Sequence, residues 1–61
     1  MCLSSVYEVI DGAESLVCEY VTAISLNNGH ITITDIMGEE IVISGILKSI
    51  DFVKNSIIID V

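Results

Sequence analysis

The chain contains no proline, no arginine and no tryptophan, and its 61 residues include one histidine, two cysteines, two lysines and three aromatic side chains. Each scarcity closes off a class of function. Lys48 and Lys54 are the only basic side chains beside nine carboxylates, so the formal charge is −7. That balance opposes binding to nucleic acid, where Lys and Arg displace counterions, and to an anionic membrane surface. Tyr7, Tyr20 and Phe52 are too few to form a stacking platform for single-stranded RNA. His30 has no Ser-His-Asp partner spacing, and no glycine-rich phosphate loop precedes a helix, so the chain reads as no enzyme. Two irregularly placed cysteines do not make a secreted disulfide framework, although sequence alone leaves a Cys2–Cys18 bridge open. No apolar run reaches the roughly 20 residues that span a bilayer. Met1-Cys2-Leu3-Ser4-Ser5 also lacks the basic stretch of a secretory signal, and the expected location is the cytoplasm.

What the chain does have is apolar surface. Hydrophobic residues make up 52% of it. Residues 1–61 form one domain at most, and a domain this short buries only about 60% of the surface its unfolded chain exposes. A small domain is marginal without a disulfide, a metal or a partner chain. So much apolar surface on so small a body predicts a homodimer, two-fold symmetry being the default.

The pattern is that of strands. Val, Ile and Thr dominate, and no 3.6-residue apolar period appears. Turn residues recur at Asp11-Gly12, Asn28-Gly29, Gly38, Gly45 and Lys54-Asn55, the spacing of a small all-β sandwich or barrel. Asn28-Gly29 suits a two-residue hairpin turn with positive φ at both positions. That register sets Leu26 opposite Ile31 and Ile24 opposite Ile33 on one face, with Ser25–Thr32 and Ala23–Thr34 on the other. A one-residue slip would scramble the segregation. The same logic applied to Lys54-Asn55 sets Phe52 opposite Ile57 and Ile50 opposite Ile59, with the possibility of a loop one residue longer because Lys suits positive φ poorly. Ser5 to Ile10 and Ser15 to Val21 read as two further strands whose register the connection Asp11–Glu14 does not choose. Glu39-Glu40 turns into a strand Ile41–Ile43 that Gly45 ends or bends. The last strand, Ile57-Ile58-Ile59 with Val61, is apolar enough to be covered on both faces, the second cover being a partner subunit.

One residue stands out for chemistry. Cys2 lies beside the terminal amine, so the Met1 amine, the Cys2 amide nitrogen and the Cys2 sulfur can close two adjacent five-membered chelate rings on one ion. N and S donors of that kind favour square-planar Ni(II) or Cu(II) over tetrahedral Zn(II). If Met1 is removed, the amine of Cys2 itself takes the place of the Met1 amine. The plainer reading of Cys2 is a small hydrophobe at the start of the first strand. Cys18, in Leu16-Val17-Cys18-Glu19-Tyr20, reads as a packed strand residue. His30 and Met37 are donors by type, but no spacing links them to Cys2.

The whole chain resembles the CooT-type family of small nickel-binding accessory proteins. The resemblance rests on Met1-Cys2 followed by Val6, and on the block from Val21 to Gly45 with Asn28-Gly29, Ile31-Thr32-Ile33-Thr34, Glu39-Glu40 and Gly45. The closing segments Ile50-Asp51 and Ile57-Ile58-Ile59 complete it. It implies a small SH3-like antiparallel barrel of about six or seven short strands that dimerises. It also implies a Ni(II) ligand at Cys2, near the subunit interface, with Met1 joining through its backbone. The implied role is metallochaperone-like, supporting maturation of a nickel enzyme such as carbon monoxide dehydrogenase, with that enzyme or its maturation factors as partners. Two other readings stay open: a small RNA-binding barrel, which the charge disfavours, and a plain protein-interaction module in which Cys2 only packs.

Overall fold

The computed structural model describes residues 3–61. Two tight turns set its frame. Asp11-Gly12 joins β1 (Ser4–Ile10) to β2 (Ala13–Asn27), and Asn28-Gly29 joins β2 to β3 (His30–Asp35). All four turn residues have positive φ, +51° and +79° in the first turn and +49° and +81° in the second. These are the type I′ values whose twist matches the flanking strands. The β2–β3 pairing is Ala23–Thr34, Ile24–Ile33, Ser25–Thr32 and Leu26–Ile31, as the apolar pattern predicts. Three shorter strands follow: β4 (Glu40–Ser44), β5 (Ile46–Asp51) and β6 (Ser56–Asp60).

The six strands form one sheet in the order β4-β3-β2-β1-β6-β5. Its two edges, β4 and β5, are consecutive in the chain and separated only by Gly45. The sheet therefore curls until its edges meet there, which makes the fold barrel-like. Gly45 N–H donates to Gly29 O at 3.0 Å, and a Cβ on Gly45 would lie 2.8 Å from Asp60 O and 3.0 Å from Ile59 Cγ2. Backbone cannot yield as a flexible side chain does. Gly45→Ala is expected to destabilise the protein by about 1–3 kcal/mol, read as a lowered denaturation midpoint at unchanged slope.

The second corner is in β2. Residues that read as two strands, Ser15–Val21 and the arm from Ala23, form one fifteen-residue strand. Its first part pairs with β1 and its last part with β3, while Val21 is opposite both Ser4 and Asp35. The bend falls at Tyr20, whose φ is +58°, with a register shift between Val21 and Ala23. Thr22 Oγ1 donates to Thr34 O at 3.2 Å and fastens the corner.

Two expectations are corrected. The last hairpin does not turn on Lys54-Asn55 alone: Ile50 is opposite Ile57 and Asp51 opposite Ser56, so Phe52–Asn55 form a four-residue loop. Asp51 Oδ1 accepts the N–H groups of Val53 and Lys54, both at 2.9 Å, an Asx-type closure that outweighs the two-residue alternative. The register moves by two, an even number, so Ile57 and Ile59 still face the core. Nor is every pairing antiparallel, because β1 and β6 run parallel, from Ser5–Ser56 to Val9–Asp60.

Among the described residues, Val6, Val21, Ile31, Ile33, Ile57 and Ile59 form the buried core, and no buried polar or charged residue interrupts it. They come from both halves of the curled sheet, which shows the halves packed face to face.

Candidate metal centre

The two residues that carry the chelate reading, Met1 and Cys2, lie outside the described residues. The described chain enters the sheet at the start of β1. Ser4 is opposite Val21 at the β2 bend, and Ser5 N–H donates to Asn55 O at 2.8 Å in the β5–β6 loop. The β3–β4 turn reaches the same end of the barrel, because Ile36 N–H donates to Tyr20 O at 3.0 Å. That turn is built on Asp35, whose Oδ1 accepts from Met37 N–H at 2.9 Å and Glu39 N–H at 3.0 Å.

Three chain segments thus surround the start of β1, and two kinds of side chain line that end. One kind is apolar and in solvent: Tyr20, Ile36, Met37, Phe52 and Val53, with Phe52 82% and Val53 93% exposed. Those two loop residues add nothing to the protomer's own core. The other kind is acidic. Asp35, Glu39 and Glu19 all act on Cys18, which pairs with Val6 a short way along β1.

Cys18 is a free, half-buried thiol packed against the core. Burial pushes its pKa up, and the charges of Asp35, Glu39 and Glu19 add to the rise. Both effects favour the neutral thiol over the thiolate that reacts as a nucleophile. It is the packed residue that its apolar context predicts. His30 lies exposed beyond the β2–β3 turn, where its Nδ1 and Ser44 Oγ share a hydrogen bond at 3.2 Å. Met37 is exposed on the β3–β4 turn. Among the described residues, no group of three or more His, Cys, Asp or Glu stands close enough to hold a metal ion. A metal reading therefore depends on Met1 and Cys2. The apolar rim and its acidic neighbours escaped sequence reasoning because they come from three segments far apart in the chain.

No helix among the described residues is long and apolar enough to cross a membrane. A family profile described as CO dehydrogenase accessory protein CooT matches residues 1–60. The crystal structure of a protein assigned as CooT from Carboxydothermus hydrogenoformans matches with a TM-score of 0.86 at 24% identity, covering 97% of this chain and 95% of that one. At that identity the likeness speaks for the fold. No curated protein matches significantly. The profile spans nearly the whole chain and describes accessory proteins, not catalysts, which agrees with the lack of catalytic groupings. The chain belongs to the CooT family of accessory proteins for CO dehydrogenase maturation.

Proposed function

We propose that this accessory protein binds Ni(II) through the Cys2 sulfur and the backbone nitrogen donors of Met1 and Cys2, at the interface of a homodimer, and supports the nickel enzyme CO dehydrogenase in the cytoplasm. The observation that carries the reading is the family match, which begins at Met1-Cys2 and belongs to the maturation of a nickel enzyme. Three features support it. The donor set at the chain start is one that square-planar ions prefer. The start of β1 lies at the end of the barrel that carries Asp35, Glu39 and Glu19, and negative charge raises the local concentration of cations. The same end carries the exposed Phe52 and Val53, surface that a second copy would cover. Two copies meeting there would bring two Cys2 thiolates together, and one ion would serve both.

Calorimetric titration with Ni(II) tests the reading, with one ion per two chains as the expected stoichiometry. A melt gives an independent measure. An ion at a hundred times its dissociation constant adds about 2.7 kcal/mol if it binds only the folded state. In a domain of this size that raises Tm by roughly 10–20 °C. An unchanged Tm under saturating Ni(II) would refute the proposal. Amine and thiol both lose protons on binding, so affinity is expected to rise with pH.

A further inference from the structure

The β4 edge of the sheet is built differently from the β5 edge. Two hydrogen bonds bracket the β3–β4 ladder, from Gly45 N–H to Gly29 O and from Asp35 N–H to Glu39 O, each at 3.0 Å. In an antiparallel pair the hydrogen-bonded positions recur every second residue. The register has His30 opposite Ser44 and Thr34 opposite Glu40, so the bonded pairs between the brackets are Ile31–Ile43 and Ile33–Ile41. Glu40, Val42 and Ser44 consequently turn their N–H and C=O groups away from β3. Among the described residues no strand takes them up, because β4 ends the sheet.

Proteins blunt such edges with lysine, proline, bulges or very short strands. The β5 edge follows that practice, with Lys48 in the strand and a register shift between Leu47 and Ser49. The β4 edge does not. Glu-Ile-Val-Ile-Ser pairs with β3 without a shift, carries no lysine, and leaves Val42 62% exposed at its centre. Glu39 and Glu40 are exposed at its start.

We infer that the β4 edge is a docking rail for an extended segment of a partner protein, one with lysine or arginine across from Glu40 and a β-branched residue across from Val42. The main-chain groups of Glu40, Val42 and Ser44 supply the ladder, as in strand addition to other sheet edges. Charge selects the occupant. The β4 segment of a second copy would bring the same Glu39-Glu40 and no lysine to this edge, whereas a basic segment neutralises the two glutamates. The inference stands apart from the nickel reading, and its test uses metal-free protein.

The probe is a short capped peptide alternating lysine with valine, followed by amide hydrogen exchange in NMR spectra. The Glu40, Val42 and Ser44 amides are expected to exchange fast in the free protein and roughly tenfold more slowly with peptide at millimolar concentration. A peptide with glutamate in place of lysine should give no slowing. Val42→Pro removes a donor that points away from β3, so it leaves the β3–β4 ladder intact while cancelling the peptide effect at Glu40 and Ser44. Should that variant not fold, Val42→Lys, which gives β4 the guard residue that β5 has, is expected to cancel the effect in a folded protein. Three results would overturn the inference: no slowing with the lysine peptide, slowing that persists in a folded Val42→Pro, or protection without peptide that grows with protein concentration. The last would mean that a second copy occupies the edge.

Discussion

Cys2→Ser is expected to remove Ni(II) binding from a protein that still folds. A serine hydroxyl keeps its proton at neutral pH where a metal-bound thiol gives it up, and a hard oxygen suits a square-planar nickel site less well than sulfur. Affinity should fall by two orders of magnitude or more, about 3 kcal/mol per site. A melting curve of the variant in the absence of metal checks that it folds. Cys18→Ser is the matched control. Among the described residues no group of His, Cys, Asp or Glu is placed to hold an ion with Cys18, so its loss should leave nickel binding unchanged. Titrating both variants beside the wild type decides the matter: a Cys2→Ser protein with wild-type stoichiometry and affinity would mean that the donors lie elsewhere.

The second large effect concerns the fold. Ile33→Ala is expected to destabilise the protein by about 2–5 kcal/mol. Ile33 is fully buried on β3, opposite Ile24 of β2 and Ile41 of β4, so truncation leaves a cavity that strands on both sides hold open. Small domains have total stabilities near 5–15 kcal/mol, and a core of only six buried side chains places this one toward the lower end. The variant should therefore populate the unfolded state visibly at 37 °C. Leu26→Ala, on the neighbouring strand but 60% exposed, should cost under 1 kcal/mol. Urea denaturation of the two at one protein concentration separates them. Equal midpoints would contradict the assignment of Ile33 to the core.

Both predictions draw on features that were unequally legible in the sequence. The β2–β3 hairpin was readable to the residue because two independent signals agreed: Asn28-Gly29 admits a two-residue turn, and the apolar residues segregate only in that register. The last hairpin misled because its two signals conflicted. Apolar alternation cannot distinguish registers that differ by two, and the deciding contact is the Asp51 carboxylate holding Val53 and Lys54 N–H. β2 read as two strands because a bend at a non-glycine residue has no punctuation: Tyr20 takes a positive φ that sequence assigns to Gly or Asn. Of the proposed site, the sequence offered Met1 and Cys2 as candidate donors and gave no sign of the apolar and acidic side chains that line the end of the barrel at the start of β1.

By itself the sequence determined the strand class, the Asn28-Gly29 turn, the apolar set from which the core is drawn, the acidic charge, and a thiol beside the first residue. These depend on near neighbours in the chain, through turn chemistry and the two-residue alternation of strands. Only the tertiary structure decided that β1 and β6 run parallel, that Gly45 joins the two sheet edges, that Cys18 sits among Asp35, Glu39 and Glu19, and that Phe52 and Val53 stand in solvent beside the start of β1. Each of those is a contact between segments far apart in the chain. Which segments meet is set by how the curled sheet buries its six core side chains together, and that choice leaves no mark on local composition.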